Sequence, residues 1–308
     1  MYVWVAMRLG LRLGPRSAKA LTVPRPAELL TAGYLAITGV VALVYGPSWP
    51  LVAAHAAGVV VLLAVVPRLS DVARDWLPVA LLPLLYLEIG LINQFVAPGY
   101  HDDLVLKLEH VVFPVSPHDA LHRLLPWRPL AGYFEFGYLA YYALLPMLGL
   151  ALYRAGRLRE YREMLATVLI TFYVCYLAFV FFPVAGPWYA RAHSDGLTDV
   201  LLTHGSSKGA AFPSSHVAVA MVIWLLAWRY HRRVFWLMAL IVPALIVGTV
   251  YGGYHYGVDA LAGLALAGVT YLMPRRVPAR AGATPPRWNT ESTDPRHRTG
   301  ALPREVQQ

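Results

Sequence analysis

Long apolar runs divided by short polar interruptions organise this chain. Eight recur: "ELLTAGYLAITGVVALVY", "WPLVAAHAAGVVVLLAVV", "WLPVALLPLLYLEIGLINQFV", "FGYLAYYALLPMLGLALY", "MLATVLITFYVCYLAFVFF", "SSHVAVAMVIWLLAWRY", "VFWLMALIVPALIVGTVY" and "YGVDALAGLALAGVTYLM". Each is near the ~20 residues a helix needs to cross the ~30 Å hydrocarbon core, and tilt or thinning accommodates the shorter ones. The pattern predicts an all-α integral membrane protein of about eight transmembrane helices. Pro146 and Pro243 fall inside runs, where membrane helices tolerate kinks. Between the third and fourth runs, "YHDDLVLKLEHVVFPVSPHDALHRLLPW" alternates apolar and polar positions. That is the pattern of an amphipathic helix lying along an interface. The same segment carries His101, Asp102, Asp103, Glu109, His110, His118 and His122. Helical spacing puts His118 and His122 on one face, but the set has no tight metal-ligand core such as HExxH.

Composition agrees with the pattern. The chain is 58% hydrophobic and 14% charged, against ~25% charged in soluble domains. Its one cysteine, Cys175, lies inside the fifth run, which excludes an intrachain disulfide or a Cys-based metal cluster and reads as a buried small apolar side chain. With both termini cytoplasmic, all of the 26 Lys and Arg fall inside except Lys107, Arg123, Arg128, Arg191 and Lys208. This is the positive-inside bias. The net charge of +9 therefore speaks of topology and of anionic leaflets, not of nucleic acid. Asp71, Arg74 and Asp75 read as solvated charges of an inside loop. Residues 1–26 have no apolar core with a cleavage site and read as a basic interfacial segment. Two additional spans occupy 27–76, a membrane domain 77–273, and a disordered basic cytoplasmic tail 274–308.

Chemistry concentrates at two outside loops. In "AAFPSSHVAV", Pro213 suits a helix start, and Ser214 or Ser215 is a good N-cap for the sixth span. Such a start offers unpaired N–H groups and a partial positive charge that attract phosphate. His216 follows within the first turn. In "YGGYHYGVD", His255 and Asp259 are four apart and share a helix face. A carboxylate there holds one imidazole nitrogen and leaves the other lone pair directed outward, as a nucleophile or base requires. An Asp at the head of a span is costly without a partner. Tyr251, Tyr254 and Tyr256 read as an interfacial aromatic belt or as a substrate wall.

Pro213-Ser214-Ser215-His216 and His255-x-x-x-Asp259, separated by two spans on one face, resemble the P-S-x-H and H-x-x-x-D motifs of the type-2 phosphatidic acid phosphatase superfamily. Within it the chain looks most like the inositol phosphorylceramide synthase, or inositolphosphotransferase, branch. The resemblance implies a six-helix core, a phosphohistidine intermediate and no metal or other cofactor. His255 is then the nucleophile, Asp259 its orienting partner and His216 the general acid and base. The upstream K-x6-R-P motif is missing, and Thr249 stands where the broad superfamily has an Arg, as in the synthase branch. Arg191 and Lys208 are the candidate phosphate-binding cations in its place, beside Ser214 and Ser215.

The expected protein is a multi-pass enzyme of the plasma membrane with an extracytoplasmic site. It transfers a phosphate or inositol-phosphate-type head group from a phospholipid or lipid phosphate to a lipid alcohol or to water. Simple phosphatidate or polyprenyl-phosphate hydrolysis is the alternative. A haloperoxidase, built on similar residues, is disfavoured by the spans. A non-catalytic transporter or scaffold is disfavoured by site residues lying at span ends rather than at mid-membrane depth.

Overall fold

A computed structural model describes residues 23–273 apart from 47, 191–199, 201, 202 and 204. The expected N-terminal segment, except its last four residues, and the tail 274–308 lie outside the described residues. In chain order the helices are α1 (Pro26–Tyr45), α2 (Trp49–Val60), α3 (Asp71–Val96), α4 (Asp102–Val112), α5 (Pro117–Leu124) and α6 (Arg128–Leu139). Then come α7 (Tyr141–Arg154), α8 (Leu158–Phe181), α9 (Ser215–Tyr230), α10 (Arg232–Met238), α11 (Val242–Tyr251) and α12 (Gly257–Leu272). Helix α2 continues through a π turn, Val61–Val65, and a 3-10 turn to Arg68.

These helices account for all eight apolar runs, and the protein is an all-α membrane protein. Pro26–Tyr45, Trp49–Arg68, Asp71–Val96, Leu158–Phe181 and Arg232–Tyr251 each have the length and apolarity of a span. The pair α6–α7, bent by 53°, makes a sixth, and α9 and α12 are shorter apolar helices. The bend falls at Ala140, not at Pro146, which sits inside α7. The seventh run breaks between α10 and α11, and Pro243 lies in the first turn of α11, where its missing N–H removes no helical bond. The single amphipathic helix expected in the long loop is two short ones, α4 and α5. Pro114 and Pro117 divide them, because neither ring nor the residue before it continues a helix easily.

Helix α8 is the spine of the bundle. It packs on α1, α3, α7, α9 and α12, and Met164, Val168, Leu169, Cys175 and Phe179 are fully buried along it. In lipid, helices associate through close packing and polar contacts rather than through a hydrophobic drive. Both occur. A Cβ on Gly263 of α12 would meet the Ser214 carbonyl oxygen at 2.6 Å, and one on Gly248 of α11 would meet the Phe134 carbonyl oxygen at 2.7 Å. Thr171 donates to Thr270 at 3.0 Å, tying α8 to α12.

One expectation about charge fails. Asp71 is exposed, but Arg74 and Asp75 are buried. Arg74 makes a bidentate pair with Glu28, through Nε–Oε1 at 2.6 Å and Nη2–Oε2 at 2.8 Å. Asp75 accepts from Arg25 at 2.6 Å and from Arg162 at 2.9 and 3.1 Å, and Asp71 pairs with Arg25. The group cross-links α1, α3 and α8 at one end of the bundle. Sequence distance hid it, since Arg25, Asp75 and Arg162 sit in separate segments of the chain.

Candidate active site

The opposite end of the bundle gathers the residues of both motifs. Ser214 is the N-cap of α9: its extended backbone turns the chain, and its Oγ accepts from Val217 N at 3.3 Å. The preceding Phe212–Pro213 peptide is cis. Ser215 is the first helical residue and is buried. His216 is then sandwiched by the two sides of the α6–α7 bend. Its ring stacks on Tyr138 at 4.9 Å between centroids and tilts against Tyr141 at 4.4 Å. Among the described residues, His216 Nδ1 is buried without a hydrogen-bond partner. Buried polar atoms of that kind are uncommon in native structures and point to function.

His255 approaches from the other motif, with its ring centroid 5.8 Å from that of His216. Its Nδ1 stands 3.4 Å from Asp259 Oδ2, in ion-pair range and longer than a well-formed hydrogen bond. That orientation turns Nδ1 toward the carboxylate without a hydrogen bond between them. Asp259 is fully buried and holds three things at once. Its Oδ2 accepts from Tyr256 N at 2.8 Å, closing the first turn of α12. Its backbone carbonyl accepts from Ser214 N at 3.0 Å, tying that turn to the head of α9. Its carboxylate faces His255. The close approach at Gly263 allows this contact between α9 and α12.

The long loop, whose acidic and His residues suggested metal ligation, instead braces the site. Glu109 of α4 accepts from Gly257 N at 3.0 Å and Val258 N at 2.8 Å, capping donors at the head of α12 that have no partner within the helix. Asp102 accepts from Ala185 N and Gly186 N, both at 2.9 Å, and from the Tyr256 hydroxyl at 3.0 Å. Burial and the Asp102 carboxylate raise the Tyr256 phenol above its ordinary range, which keeps its proton in that bond. His118 Nδ1 donates to Val250 O at 3.1 Å and His122 Nε2 to Tyr251 O at 2.9 Å, satisfying the last carbonyls of α11. Among the described residues no group of three or more His, Cys, Asp or Glu is placed to hold a metal.

A third strip of chain closes the site. Val184 and Ala210 form a parallel bridge, Asn93 donates to the Lys208 carbonyl at 2.9 Å, and Ser207 Oγ donates to Tyr86 O at 2.7 Å. The Lys208 ammonium lies over the rings of Tyr100, at 4.7 Å, and Tyr189, at 5.5 Å. Lys208 is exposed, and Tyr189 lines the cavity that holds both histidines. Arg191 lies outside the described residues. Thr249 is buried, and its carbonyl accepts from both Tyr254 N and His255 N at 3.0 Å. This position builds the turn that carries His255. Tyr254 tilts against Tyr138 at 4.3 Å, so of the three loop tyrosines it is the one that joins the aromatic wall.

Two cavities meet here. A small one of about 40 Å³ is lined by both histidines together with Tyr138, Trp188, Tyr189 and Ser206. A large apolar one of about 530 Å³ runs between α3, α7, α8 and α9, past Leu82, Leu145, Phe172 and Ile223. His216, Tyr86 and Ser206 line both. The sequence pattern gave no signal for Tyr86, Asn93, Tyr138 or Tyr141, which read there as ordinary members of apolar runs.

No curated protein and no solved structure matches the chain. The family model of the PAP2 superfamily does, over residues 105–273, from within α4 to the end of α12. That span takes in Glu109, the α6–α7 bend, both histidines and Asp259. The chain belongs to the PAP2 superfamily.

Proposed function

We propose that this protein cleaves and transfers the phosphate-bearing head group of a membrane lipid at the extracytoplasmic face, through a phosphohistidine on His255. The observation that carries the reading is the position of His216. It lines the small polar cavity beside His255 and the large apolar cavity that opens between membrane helices. A ligand that fills both has a compact polar head and long apolar chains. Nε2 of His255 attacks phosphorus, forming an N–P bond as the P–O bond to the leaving alcohol breaks. His216, as imidazolium, gives that oxygen its proton. An incoming alcohol or water then loses its proton to neutral His216, forms the new P–O bond and releases His255. The N–H groups of Ser215 and His216 at the head of α9 seat the phosphate, with Ser214, Ser215, Lys208 and Arg191 as further contacts. Lys208 reaches it by leaving its two aromatic rings.

Transfer to a lipid alcohol, as in the inositolphosphotransferase branch, is favoured over hydrolysis by Thr249. A buried, uncharged side chain stands here, so the Arg of the broad superfamily has no counterpart at this position. The test compares the purified protein with His255→Ala in lipid–detergent micelles containing a chelator. Labelled phosphatidate and phosphatidylinositol are supplied with and without diacylglycerol or ceramide. The expected result is turnover by the wild type that survives chelation and falls by more than the ~10²–10⁴-fold of a general acid–base residue in the variant. New phospholipid as the main product identifies a transferase and free phosphate a phosphatase. Equal turnover by the two proteins rules out His255 as nucleophile.

A further inference from the structure

A second cavity of about 530 Å³ lies on the other flank of α3, outside the segment that matches the family. Its walls come from α1, α2 and α3 and include Leu35, Leu51, Leu62, Leu81, Leu84 and Leu91. This volume falls in the ~300–1,000 Å³ range of small-molecule sites. Successive residues of α3 divide the two spaces. Tyr86 faces the active-site cavity, Glu88 faces this one, and Leu87 lines both large cavities.

The apolar wall holds one polar feature. His55 of α2 and Glu88 of α3 both line the cavity, with Nε2 and Oε1 3.0 Å apart. His55 Nδ1 donates to Leu51 O at 2.8 Å, and a carbonyl accepts only, so Nδ1 carries a hydrogen. A neutral imidazole would then present a lone pair at Nε2 to a carboxylate that also has only lone pairs. At 3.0 Å the two atoms are in ion-pair contact without the alignment of a hydrogen bond, and two facing lone pairs at that distance repel unless the pair holds one proton. The pair is thus neutral as a unit, which suits its place within the spans. Gly39 of α1 fixes the ring from behind, since a Cβ there would meet His55 Cβ at 2.9 Å. Glu88 keeps 15% of its side chain open, and this opening is to the cavity. The adjoining π turn, Val61–Val65, supplies two lining residues, and such turns in α-helices recur at functional sites.

We infer that this cavity binds a lipid alcohol, with its chains along the leucines and its hydroxyl donating to Glu88. Among the described residues the cavity has no Lys or Arg in its lining, so none of them compensates a phosphate there. A carboxylate oxygen in an apolar wall selects a hydrogen-bond donor, and a neutral pair gives a cation little advantage. A lipid alcohol is also what the proposed reaction releases or consumes, one helix away. That link rests on the proposed function; occupancy of the cavity does not.

The test uses the full chain in phosphatidylcholine nanodiscs with a diazirine-bearing diacylglycerol, and maps cross-links by mass spectrometry. Wild type, His255→Ala and the double variant His55→Leu/Glu88→Leu are compared. The double variant removes the pair together, because a lone survivor would be an unpaired buried group. Cross-links are expected within residues 51–62 and at Leu84, Glu88 and Leu91, which line this cavity alone, in wild type and His255→Ala alike. Unlabelled diacylglycerol should compete about tenfold better than its 3-O-methyl ether, as loss of one hydrogen bond predicts, and the double variant should lose that preference. Equal competition by alcohol and ether would mean that the cavity takes any acyl chain and would overturn the inference. So would labelling confined to other helices. Because His255→Ala should label normally, a failure of the catalytic reading leaves this result unchanged.

Discussion

At the scale of single residues, Asp259 carries more of the site than its neighbours. Its carbonyl holds Ser214, one carboxylate oxygen holds Tyr256 N, and the carboxylate faces His255 at 3.4 Å. The oxygen that accepts from Tyr256 N, Oδ2, is also the one that faces His255 Nδ1, so Asp259→Asn with its amide oxygen there keeps both contacts and the backbone tie to Ser214. What changes is the charge, because a neutral amide no longer stabilises the imidazole ring as it gains positive charge on attack. Turnover should fall roughly 10²–10⁴-fold while KM and the thermal midpoint stay close to wild type. Activity within tenfold of wild type would make Asp259 a structural strut only. This residue and both histidines were legible in the sequence, because a helix-start serine and an i, i+4 His–Asp pair are local patterns. The aromatic box around His216 was not, since Tyr138 and Tyr141 take their meaning from a bend at Ala140 that no proline announces.

At the scale of elements, α4 decides where α12 begins. Glu109 meets Gly257 and Val258 across 148 and 149 residues of sequence, and Asp102 meets Ala185 across 83. Separations of that size explain why the segment read as an interfacial helix with scattered metal-type side chains. Its amphipathic pattern was visible and its partners were not. Glu109→Ala leaves two buried donors without an acceptor, each worth about 1–3 kcal/mol, and loosens the turn that carries His255 and Asp259. The variant should unfold at a lower temperature in lipid micelles and lose activity, with Glu109→Gln, which keeps one acceptor oxygen, falling between it and wild type. Unchanged stability in Glu109→Ala would show that α12 does not depend on this cap. The same reasoning covers Arg74 and Asp75. Their charges suggested a loop, and only the packing of α1 and α8 on α3 turns them into buried partners.

At the scale of the whole molecule, the ion-pair group of Arg25, Glu28, Arg74, Asp75 and Arg162 marks one end of the bundle and the two histidines the other. From the positive-inside bias we propose that the first end faces the cytoplasm. Because Cys175 is buried, single cysteines report sidedness cleanly. Asp103→Cys, beside the site, should react with a membrane-impermeant maleimide in intact cells, and Ala155→Cys, between α7 and α8, only after permeabilisation. The reverse pattern would turn the site to the cytoplasm. Within this arrangement, the proposed nucleophile and acid, with their tie, belong to the heads of α9 and α12. The apolar cavity that meets them is walled largely by α3, α7 and α8. Substitutions at Leu82, Leu145 or Phe172 can therefore reshape which lipid is accommodated while the reacting groups stay in register, so that new substrate preferences are reachable by single steps in an active enzyme.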